Sequence, residues 1–426
     1  SSETFISLDV AEGASKTTEK LTGIPTLTAG NSYTYKLTVG KNKISVSGIT
    51  VADWTSGEIT GGKAEEAKTP YITFTAEGEQ IFKMITESSS NEPYGENEPY
   101  KISGLQYSLN NGDWKDVVEN VPVTFGGTTN GTLRLRGKNP KGTAKDSWNY
   151  ATITFDKQDV KVTCTGDIRT LLDYESYKTV ATDQALFCNL FENCKAITSA
   201  PDLPAETLAK DCYSFMFEGC TSLKTAPKLP ATTLAGDCYF RMFFGCTSLE
   251  TAPALPAKNL ASSCYSYMFA GCTSLKSTPE LRATTLASGC YEGMFQRCTS
   301  LVNASTLPAT TLTNSCYKYM FDGCTNLETA PALPATALAT YCYGYMFQGC
   351  KKLTSVTMLA PSDQISKTTY CCNDWLSMAG TSAASRKLIV QDEAAYNELK
   401  TNSDYLPAKW KKDATNTTVE YYSPKP

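Results

Sequence analysis

Cysteine spacing constrains this chain more than any other feature, because two series of cysteines recur with one period of 26 residues. The first series is Cys212, Cys238, Cys264, Cys290, Cys316 and Cys342. The second series is Cys194, Cys220, Cys246, Cys272, Cys298, Cys324 and Cys350. A fixed period between about 20 and 50 residues is typical of solenoids, propellers and arrays, in which each repeat packs on its neighbours. We therefore expect a repeat architecture.

Each repeat has room for two short elements. Cys264, Met268 and Cys272 lie four residues apart, and Leu275 continues the same stripe. This spacing predicts a helix of about ten residues in each repeat. The segment 225–230, Thr-Ala-Pro-Lys-Leu-Pro, then predicts an extended path, since its paired prolines exclude helix. One helix and one extended segment match a leucine-rich repeat in size, whereas a propeller blade needs about 40 residues.

The residue before each second-series cysteine is glycine in most copies and Asn193 in the first. Glycine and asparagine accept the left-handed conformation that ends a helix, so we expect each predicted helix to end here. Arg297 occupies this position in one copy. Either Arg297 is strained, or the position is not strictly left-handed.

Two sequence runs carry a family resemblance. Met-Phe-x-Gly-Cys-Thr-Ser-Leu and Leu-Pro-Ala-Thr-Thr-Leu-Ala recur through the repeats. They resemble the BspA-type leucine-rich repeats of surface proteins from anaerobic gut and oral bacteria, whose core reads Ala-Phe-x-x-Cys-x-x-Leu. The units here are longer than the commoner form and have an additional cysteine. The resemblance implies a cell-surface or secreted location and a role in binding or adhesion.

The part before the repeats alternates apolar and polar residues, which is typical of half-buried strands. Segments 71–75, 105–109, 133–136 and 151–155 have this pattern. Residues 110–113, Asn-Asn-Gly-Asp, predict a hairpin because Asn-Gly accepts the positive φ angles of a primed turn. We therefore expect an immunoglobulin-like sandwich.

The fold class expected is α+β and multidomain, with all-β sandwich modules at the N-terminal side followed by a leucine-rich-repeat solenoid of 26-residue units. Residues 1–67 contain strand-like segments that resemble the C-terminal strands of fimbrillin-like domains, followed by a linker. The expected divisions are 1–67 for this β-rich part, 68–163 for the sandwich, 164–390 for the solenoid and 391–426 for a C-terminal cap. At this end of the chain we expect a strand at 387–390 and a helix at 392–400, which together close the final coil.

The chemical state of the cysteines has three interpretations. Eight positions along a helix span about 12 Å, which is too far for a disulfide unless the helix breaks. Leu186 and Ala379 each replace one cysteine while the other stays, which favours buried thiols acting as small hydrophobic side chains. Disulfides remain the second interpretation, and a metal site is the least favoured because no Cys-x-x-Cys spacing occurs. We expect Cys164, Cys371 and Cys372 to be the most accessible thiols.

Catalysis is disfavoured by composition. The 426 residues contain no histidine, which excludes His-based triads and His-containing zinc sites. A formal net charge of −4 with mixed signs argues against nucleic-acid binding. The glycine-rich stretches 125–131 and 137–142 lack the order of a phosphate loop, and the acidic loop 87–98 lacks calcium-ligand spacing. We expect two turns and a solvated loop, with no cofactor and no metal.

The residue three positions after each first-series cysteine predicts a binding surface. Phe215, Tyr267, Tyr319 and Tyr345 occupy this position, with Arg241 and Gly293 in the remaining copies. Aromatic rings bind sugars and anchor protein interfaces. The alternative is that these rings pack on the neighbouring coil. The tyrosine directly after each cysteine, such as Tyr213, varies so little between copies that we expect it to be structural.

The sequence thus predicts a non-enzymatic adhesin that binds an extracellular protein through its solenoid; the alternative is a glycan-binding surface module. No apolar run reaches the roughly 18 residues of a membrane span. We expect a monomer at the cell surface, anchored in the outer membrane in the full-length protein, with any lipid anchor upstream of Ser1.

Overall fold

The computed structural model describes the backbone of residues 6–12, 15–21, 31–40, 43–53, 70–88 and 100–423, and side chains within 70–88, 100–128 and 131–423. The chain divides into two compact units, Ser1–Lys68 and Thr69–Pro426. Most of the acidic loop predicted at 87–98 lies outside the described residues.

The first unit contains two antiparallel strand pairs. Strand β1 (Ile6–Glu12) pairs with β2 (Ser15–Leu21), and β3 (Asn31–Gly40) pairs with β4 (Lys43–Asp53). The register of the second pair shifts between Lys36 and Leu37. The fimbrillin-like character of this unit stays a prediction.

The second unit begins with two antiparallel sheets. Their strands are β5 (Ile72–Ala76), β6 (Gln80–Ser88), β7 (Leu105–Leu109), β8 (Lys115–Asp116), β9 (Val123–Phe125), β10 (Leu133–Gly137), β11 (Asn149–Phe155) and β12 (Val162–Thr165). A helical turn, α1 (Gly127–Asn130), separates β9 from β10. One sheet has the order β12-β5-β10-β7-β8 and the other β11-β6-β9. The four strands predicted from alternation therefore form.

Aromatic side chains join the two sheets. Phe74 on β5 meets Phe155 on β11 edge-on, with ring centroids 5.4 Å apart. Both rings are buried. The predicted hairpin turn also forms, but Asn110 and Asn111 carry its positive φ angles of 50° and 63°, rather than an Asn-Gly pair. The assignment of these sheets as immunoglobulin-like stays a prediction.

The predicted helix in each repeat is wrong. In its place, each coil has a ribbon of turns in which every fourth residue is left-handed, for example Ser263, Tyr267 and Gly271 with φ of 50°, 53° and 74°. The N–H groups of the ribbon alternate in direction. That of Met268 donates within the coil to the Tyr265 carbonyl oxygen at 3.2 Å, whereas that of Phe269 donates to the next coil.

The partners in the next coil lie about one repeat further along the sequence. Tyr265 N donates to Cys290 O at 3.0 Å and Phe269 N to Met294 O at 2.9 Å. Repetition of this pattern stacks the coils, because backbone N–H groups in the ribbon of each coil donate to carbonyl oxygens of the coil that follows it in the sequence. We number the coils 1 to 8 by their first-series residue, which is Leu186, Cys212, Cys238, Cys264, Cys290, Cys316, Cys342 and Cys371.

The proline-rich segment of each coil is extended, as predicted, but forms only isolated parallel bridges. Thr225 pairs with Thr251 of the next coil, and Leu255 pairs with Leu281. Prolines such as Pro253 and Pro256 lack an N–H group, which prevents a continuous ladder of hydrogen bonds between coils.

Two aromatic ladders fill the interior of the stack. Tyr213, Tyr239, Tyr265, Tyr291, Tyr317 and Tyr343 form one, with neighbouring rings stacked at 5.6–6.2 Å. Phe217, Phe243, Phe269, Phe295, Phe321 and Phe347 form the other at 5.5–5.8 Å. All twelve are buried, so the predicted structural role of the repeated tyrosine is confirmed.

Both ends of the stack are covered. At the N-terminal end, Thr143 N and Ile153 N donate to Leu186 O and Leu190 O of coil 1, each at 2.8 Å. The sheets and the coils share one continuous hydrophobic core. A separation into domains at 163/164 stays a prediction, because residues Thr69–Pro426 form one compact unit.

At the C-terminal end, a parallel sheet joins the strands β13 (Ser355–Met358), β14 (Arg386–Val390) and β15 (Thr417–Tyr421). Helix α2 (Ser362–Lys367) occupies the insertion before coil 8, and α3 (Glu393–Thr401) follows β14. The predicted strand and helix of this region therefore both form. Asp374 N of coil 8 donates to Asp404 O at 2.7 Å, so the segment after α3 accepts from the last coil.

Candidate binding face of the repeats

The predicted binding residues lie at a left-handed position of the turn ribbon. The left-handed column, defined as the third residue after each first-series position, consists of Asn189, Phe215, Arg241, Tyr267, Gly293, Tyr319, Tyr345 and Asp374. Their φ angles range from 50° to 59°. The column therefore places one side chain per coil on the outer side of the ribbon, while the residues that follow it point into the core.

Bulky side chains are unfavourable at such a position. For an L-residue other than glycine the left-handed conformation costs about 1–2 kcal/mol, because Cβ approaches the following carbonyl oxygen. Gly293 shows that the same place in the coil accepts a residue without Cβ. Phenylalanine, arginine and three tyrosines nevertheless occupy the other copies between coils 2 and 7. Arg297, left-handed at φ 59°, is strained in the same way, which settles the alternative left open above.

The rings of the column also contact their neighbours. A Cβ atom on Gly293 would lie 2.2 Å from Cε1 of Tyr267, so the tyrosine ring covers the glycine. Phe215 meets Phe240 edge-on at 5.2 Å. The guanidinium of Arg241 lies 4.0 Å from the ring centroid of Phe244. The rings of the column are therefore partly packed on neighbouring side chains, and their role in binding stays a prediction.

Four tyrosines gather on the last coils. Tyr319 and Tyr345 of the column stack at 4.7 Å, and Tyr341 and Tyr370 stack beside them at 4.9 Å. The ammonium group of Lys318 lies 5.0 Å from the Tyr319 ring and 5.3 Å from that of Tyr341. Tyr341 and Tyr370 were not predicted. Each precedes a first-series cysteine and is itself left-handed, so the four-residue rhythm of the ribbon was the signal that could have found them.

A pocket of about 250 Å³ lies at the other end of the column. It is lined by Phe215 and Glu218 of coil 2, Glu192 of coil 1, Tyr150 of β11 and Trp148, which directly precedes that strand. Trp148 is 54% exposed, an unusual degree for an indole. No sequence pattern indicates this pocket, because part of its lining comes from the sheet region and the rest from the repeats.

The glutamates of this pocket are partly desolvated. Burial raises the pKa of Glu192, although the Tyr150 hydroxyl donates to its Oε2 atom at 3.0 Å. Burial also raises the pKa of Glu218, which is opposed by the ion pair with Arg241 at 2.8 Å. Oε2 of Glu218 is buried and accepts no hydrogen bond. The hydrogen bonds and the ion pair therefore compensate only in part for the burial of the Glu192 and Glu218 carboxylates.

All seventeen cysteines are free and buried. The expectation that Cys164, Cys371 and Cys372 are the accessible thiols is therefore wrong. Cys164 lies on β12 beneath the first coils, and Cys371 continues the first series in coil 8, where Cys342 Sγ lies 3.7 Å from its carbonyl oxygen. The cysteine ladders consist of buried thiols, as favoured from the sequence.

The second series makes a repeated hydrogen bond. Sγ of Cys220, Cys246, Cys272, Cys298, Cys324 and Cys350 each donates to a phenylalanine carbonyl oxygen of the preceding coil, at 3.0–3.1 Å. Burial raises the pKa of these thiols well above the ordinary 9.0. Buried neutral thiols are poor nucleophiles, so the ladders act as packing and hydrogen-bonding elements.

The family of the repeats can now be stated. The profile of the BspA-type leucine-rich repeat region matches residues 184–317 and 240–377, with six copies. The coils are BspA-type leucine-rich repeats. Repeats of this kind are generally non-enzymatic modules of protein interaction, and BspA-type proteins are typically surface-associated. Comparison with curated proteins gives no match, and comparison with solved structures gives none either.

Two further observations concern the described residues only. None of their helices combines the length and apolar character needed to cross a membrane. Their Cys, Asp and Glu side chains form no group of three that could hold a metal ion.

Proposed function

We propose that this chain is a non-enzymatic adhesin of the cell surface, which binds an extracellular protein through the left-handed column and the tyrosines beside it. The BspA-type repeats support a role in interaction. The identity of the contact residues, Phe215, Tyr267, Tyr319 and Tyr345, is our proposal.

Backbone strain is the observation that carries this proposal. Tyr267, Tyr319 and Tyr345 keep bulky side chains at φ angles of 53°, 57° and 58°, where glycine would remove the strain. Strained residues that the fold does not require are found preferentially at functional sites. A stack selected only for stability would favour glycine here, as in coil 5.

Ring geometry favours a protein partner over a glycan. A sugar stacks on an open ring face, and Tyr319 and Tyr345 each lose one face to the stack between them, whose ring centroids lie 4.7 Å apart. Tyrosine edges and hydroxyl groups are well suited to protein interfaces, in which tyrosine is enriched.

Binding of the intact chain to immobilised extracellular-matrix proteins and to a glycan array tests the proposal. We expect a matrix protein to bind, and the double variant Tyr267→Gly with Tyr319→Gly to weaken that binding at least about tenfold. The matched control is Ser263→Gly, which relaxes a left-handed residue of the same ribbon and keeps the column intact. Thermal unfolding of each variant is measured in parallel.

Because glycine relieves the left-handed strain, the column variants should unfold no earlier than the natural chain by more than a few degrees. Glycan binding alone, lost in the double variant, would replace the protein partner with a carbohydrate. Binding that survives the double variant would show that the column is structural.

A further inference from the structure

The repeat symmetry shows how this fold holds a cation on its outer face. Arg241 of coil 3 places Nη2 2.8 Å from Oε1 of Glu218 in coil 2, and its guanidinium lies 4.0 Å from the ring centroid of Phe244. A carboxylate from one coil and an aromatic ring from the next thus enclose the positive group. At a protein surface, the ion pair with Glu218 and the cation–π contact with Phe244 are each weak. Together they fix the position of the Arg241 guanidinium.

One coil earlier the same carboxylate is present without the cation. Glu192 of coil 1 is equivalent to Glu218, but the residue equivalent to Arg241 is Phe215. Among the described residues, no lysine or arginine forms an ion pair with Glu192; Arg241, which is paired with Glu218, acts on Glu192 only through its charge at longer range. The pocket of about 250 Å³ lies at this place, and Trp148 and Phe215 supply its aromatic surface.

We propose that this pocket binds a lysine or arginine side chain of a protein partner, with the charged tip at Glu192 and Glu218 and the aliphatic stem on Trp148. The assignment to a protein rests on the proposed function; the pocket itself lies apart from the tyrosines of the last coils. Such a pocket adds a charged contact to the aromatic contacts proposed for the left-handed column.

Several contacts fit such a guest. Glu192 keeps only neutral donors, which are the Tyr150 hydroxyl at 3.0 Å and Asn193 Nδ2 at 3.4 Å. Glu218 gives one oxygen to Arg241, and its second oxygen lacks a donor. Glu87 lines the same pocket and adds a third carboxylate. Three carboxylates against one guanidinium leave the pocket negative, which attracts a second cation.

The shape of the pocket favours a partner side chain with a long, unbranched aliphatic part. Trp148 stands at the exposed rim, whereas the Glu218 carboxylate is mostly buried. Lysine and arginine carry their charge at the end of an apolar chain, so the stem can cover the indole while the tip reaches the glutamates. A neutral side chain of the same length would leave the carboxylates unpaired.

Fluorine NMR of the full chain labelled with 5-fluorotryptophan provides a direct test. The probe is the peptide acetyl-Gly-Arg-Gly-amide, and its neutral counterpart contains citrulline in place of arginine. The Trp148 resonance is assigned with Trp148→Phe. We expect a saturable shift of this resonance with the arginine peptide, and no shift with the citrulline peptide or with glucosamine.

Glu192→Gln keeps the size of the side chain and should weaken binding of the arginine peptide about tenfold. Glu250→Gln is the control, because Glu250 forms an exposed ion pair with Lys276 on coils 3 and 4. Equal thermal unfolding of the two variants excludes misfolding.

Equal binding of the citrulline peptide, unchanged binding to Glu192→Gln, or no saturable shift up to about 10 mM would overturn the proposal. A shift with glucosamine alone would assign the pocket to an amino sugar instead. Failure of the proposed function is distinguishable, since the tyrosine variants that test it leave this pocket and this probe unaffected.

Discussion

The thiol of Cys272 donates to the carbonyl oxygen of Phe243 in the preceding coil, at 3.1 Å and across 29 residues of sequence. The same oxygen accepts the N–H of Cys246 at 3.1 Å, so each rung of the ladder joins two coils at one atom. The repeated cysteine therefore contributes both volume and a hydrogen-bond donor.

Removing one rung should destabilise the stack. Cys272→Ala deletes a buried sulfur atom and its hydrogen bond, and we expect the free energy of unfolding to fall by about 1–2 kcal/mol. Urea unfolding under reducing conditions measures the loss. Thr273→Ala, at the exposed next residue, is the control and should change stability by less than about 0.5 kcal/mol. Equal stability of Cys272→Ala and the natural chain would contradict a structural role.

Thiol titration distinguishes free thiols from disulfides. Because all seventeen cysteines are free and buried, we expect Ellman's reagent to find almost none in the native protein. After denaturation without reductant it should find all seventeen. A low count after denaturation would mean that the protein carries disulfides between rungs.

Stability should fall steeply at alkaline pH. Burial raises the pKa of Cys272 and Cys298 well above 9.0, and the same holds for the other second-series thiols of coils 2 to 7. Below the unfolded pKa these thiols are neutral in both states and have no effect on the pH dependence. Above it only the unfolded chain ionises, so each such thiol lowers the free energy of unfolding by about 1.4 kcal/mol per pH unit.

Urea unfolding across pH 7 to 10 checks this sign. We expect the free energy of unfolding to stay constant up to about pH 8. Above this pH it should decline with a slope that corresponds to the release of several protons on unfolding. Unchanged stability up to pH 10 would mean that the thiols are ionised in the folded state or absent as thiols.

The glycine of coil 5 offers a test of the column packing. Gly293→Ala adds a Cβ atom 2.2 Å from the Tyr267 ring and a side chain at φ 59°, so the ring must move. Gly271→Ala adds a comparable left-handed strain at φ 74°, but the new Cβ atom would lie 3.5 Å from its nearest neighbour, the Cα of Gly245. We expect backbone strain to lower the free energy of unfolding of both variants by about 1 kcal/mol. The clash with Tyr267 should lower that of Gly293→Ala by about 1–3 kcal/mol more.

Thermal unfolding of the two alanine variants gives this difference. A new chemical shift for the Tyr267 ring in Gly293→Ala alone would confirm that the ring is displaced. Identical stability of the two variants would mean that Tyr267 does not rest on Gly293.

Local chemistry made part of the fold predictable. Pro253 and Pro256 dictate an extended path, and Gly271 marks a left-handed residue, because both effects depend on a single residue and its neighbours. The strand and helix near 387–400 were predictable for the same reason. The buried state of the cysteine series followed from the replacements Leu186 and Ala379.

The turn ribbon was not predictable, because a stripe at i, i+4 and i+8 is common to a helix and to a ribbon with a four-residue rhythm. The deciding hydrogen bonds, such as Phe269 N to Met294 O, join residues of different coils. The residue type of Tyr267 also does not indicate its left-handed φ angle, since tyrosine rarely adopts this conformation. The Trp148 pocket depends on two distant parts of the chain, and no local pattern encodes it.

The one-way hydrogen bonding between coils has a consequence for the growth of such proteins by gene duplication. The sheet region donates to carbonyl oxygens of coil 1, as at Leu190, and accepts backbone N–H groups in return, as from Leu186 at Lys141 O. The C-terminal segment accepts from N–H groups of coil 8, as at Asp374, and Trp410 Nε1 donates to Ala379 O of that coil. A duplication of one whole repeat presents the same groups to both ends, so neither end needs to change. The number of coils can thus change while the ends stay fixed. An insertion of any other size must be absorbed outside the ribbon, as α2 does before coil 8.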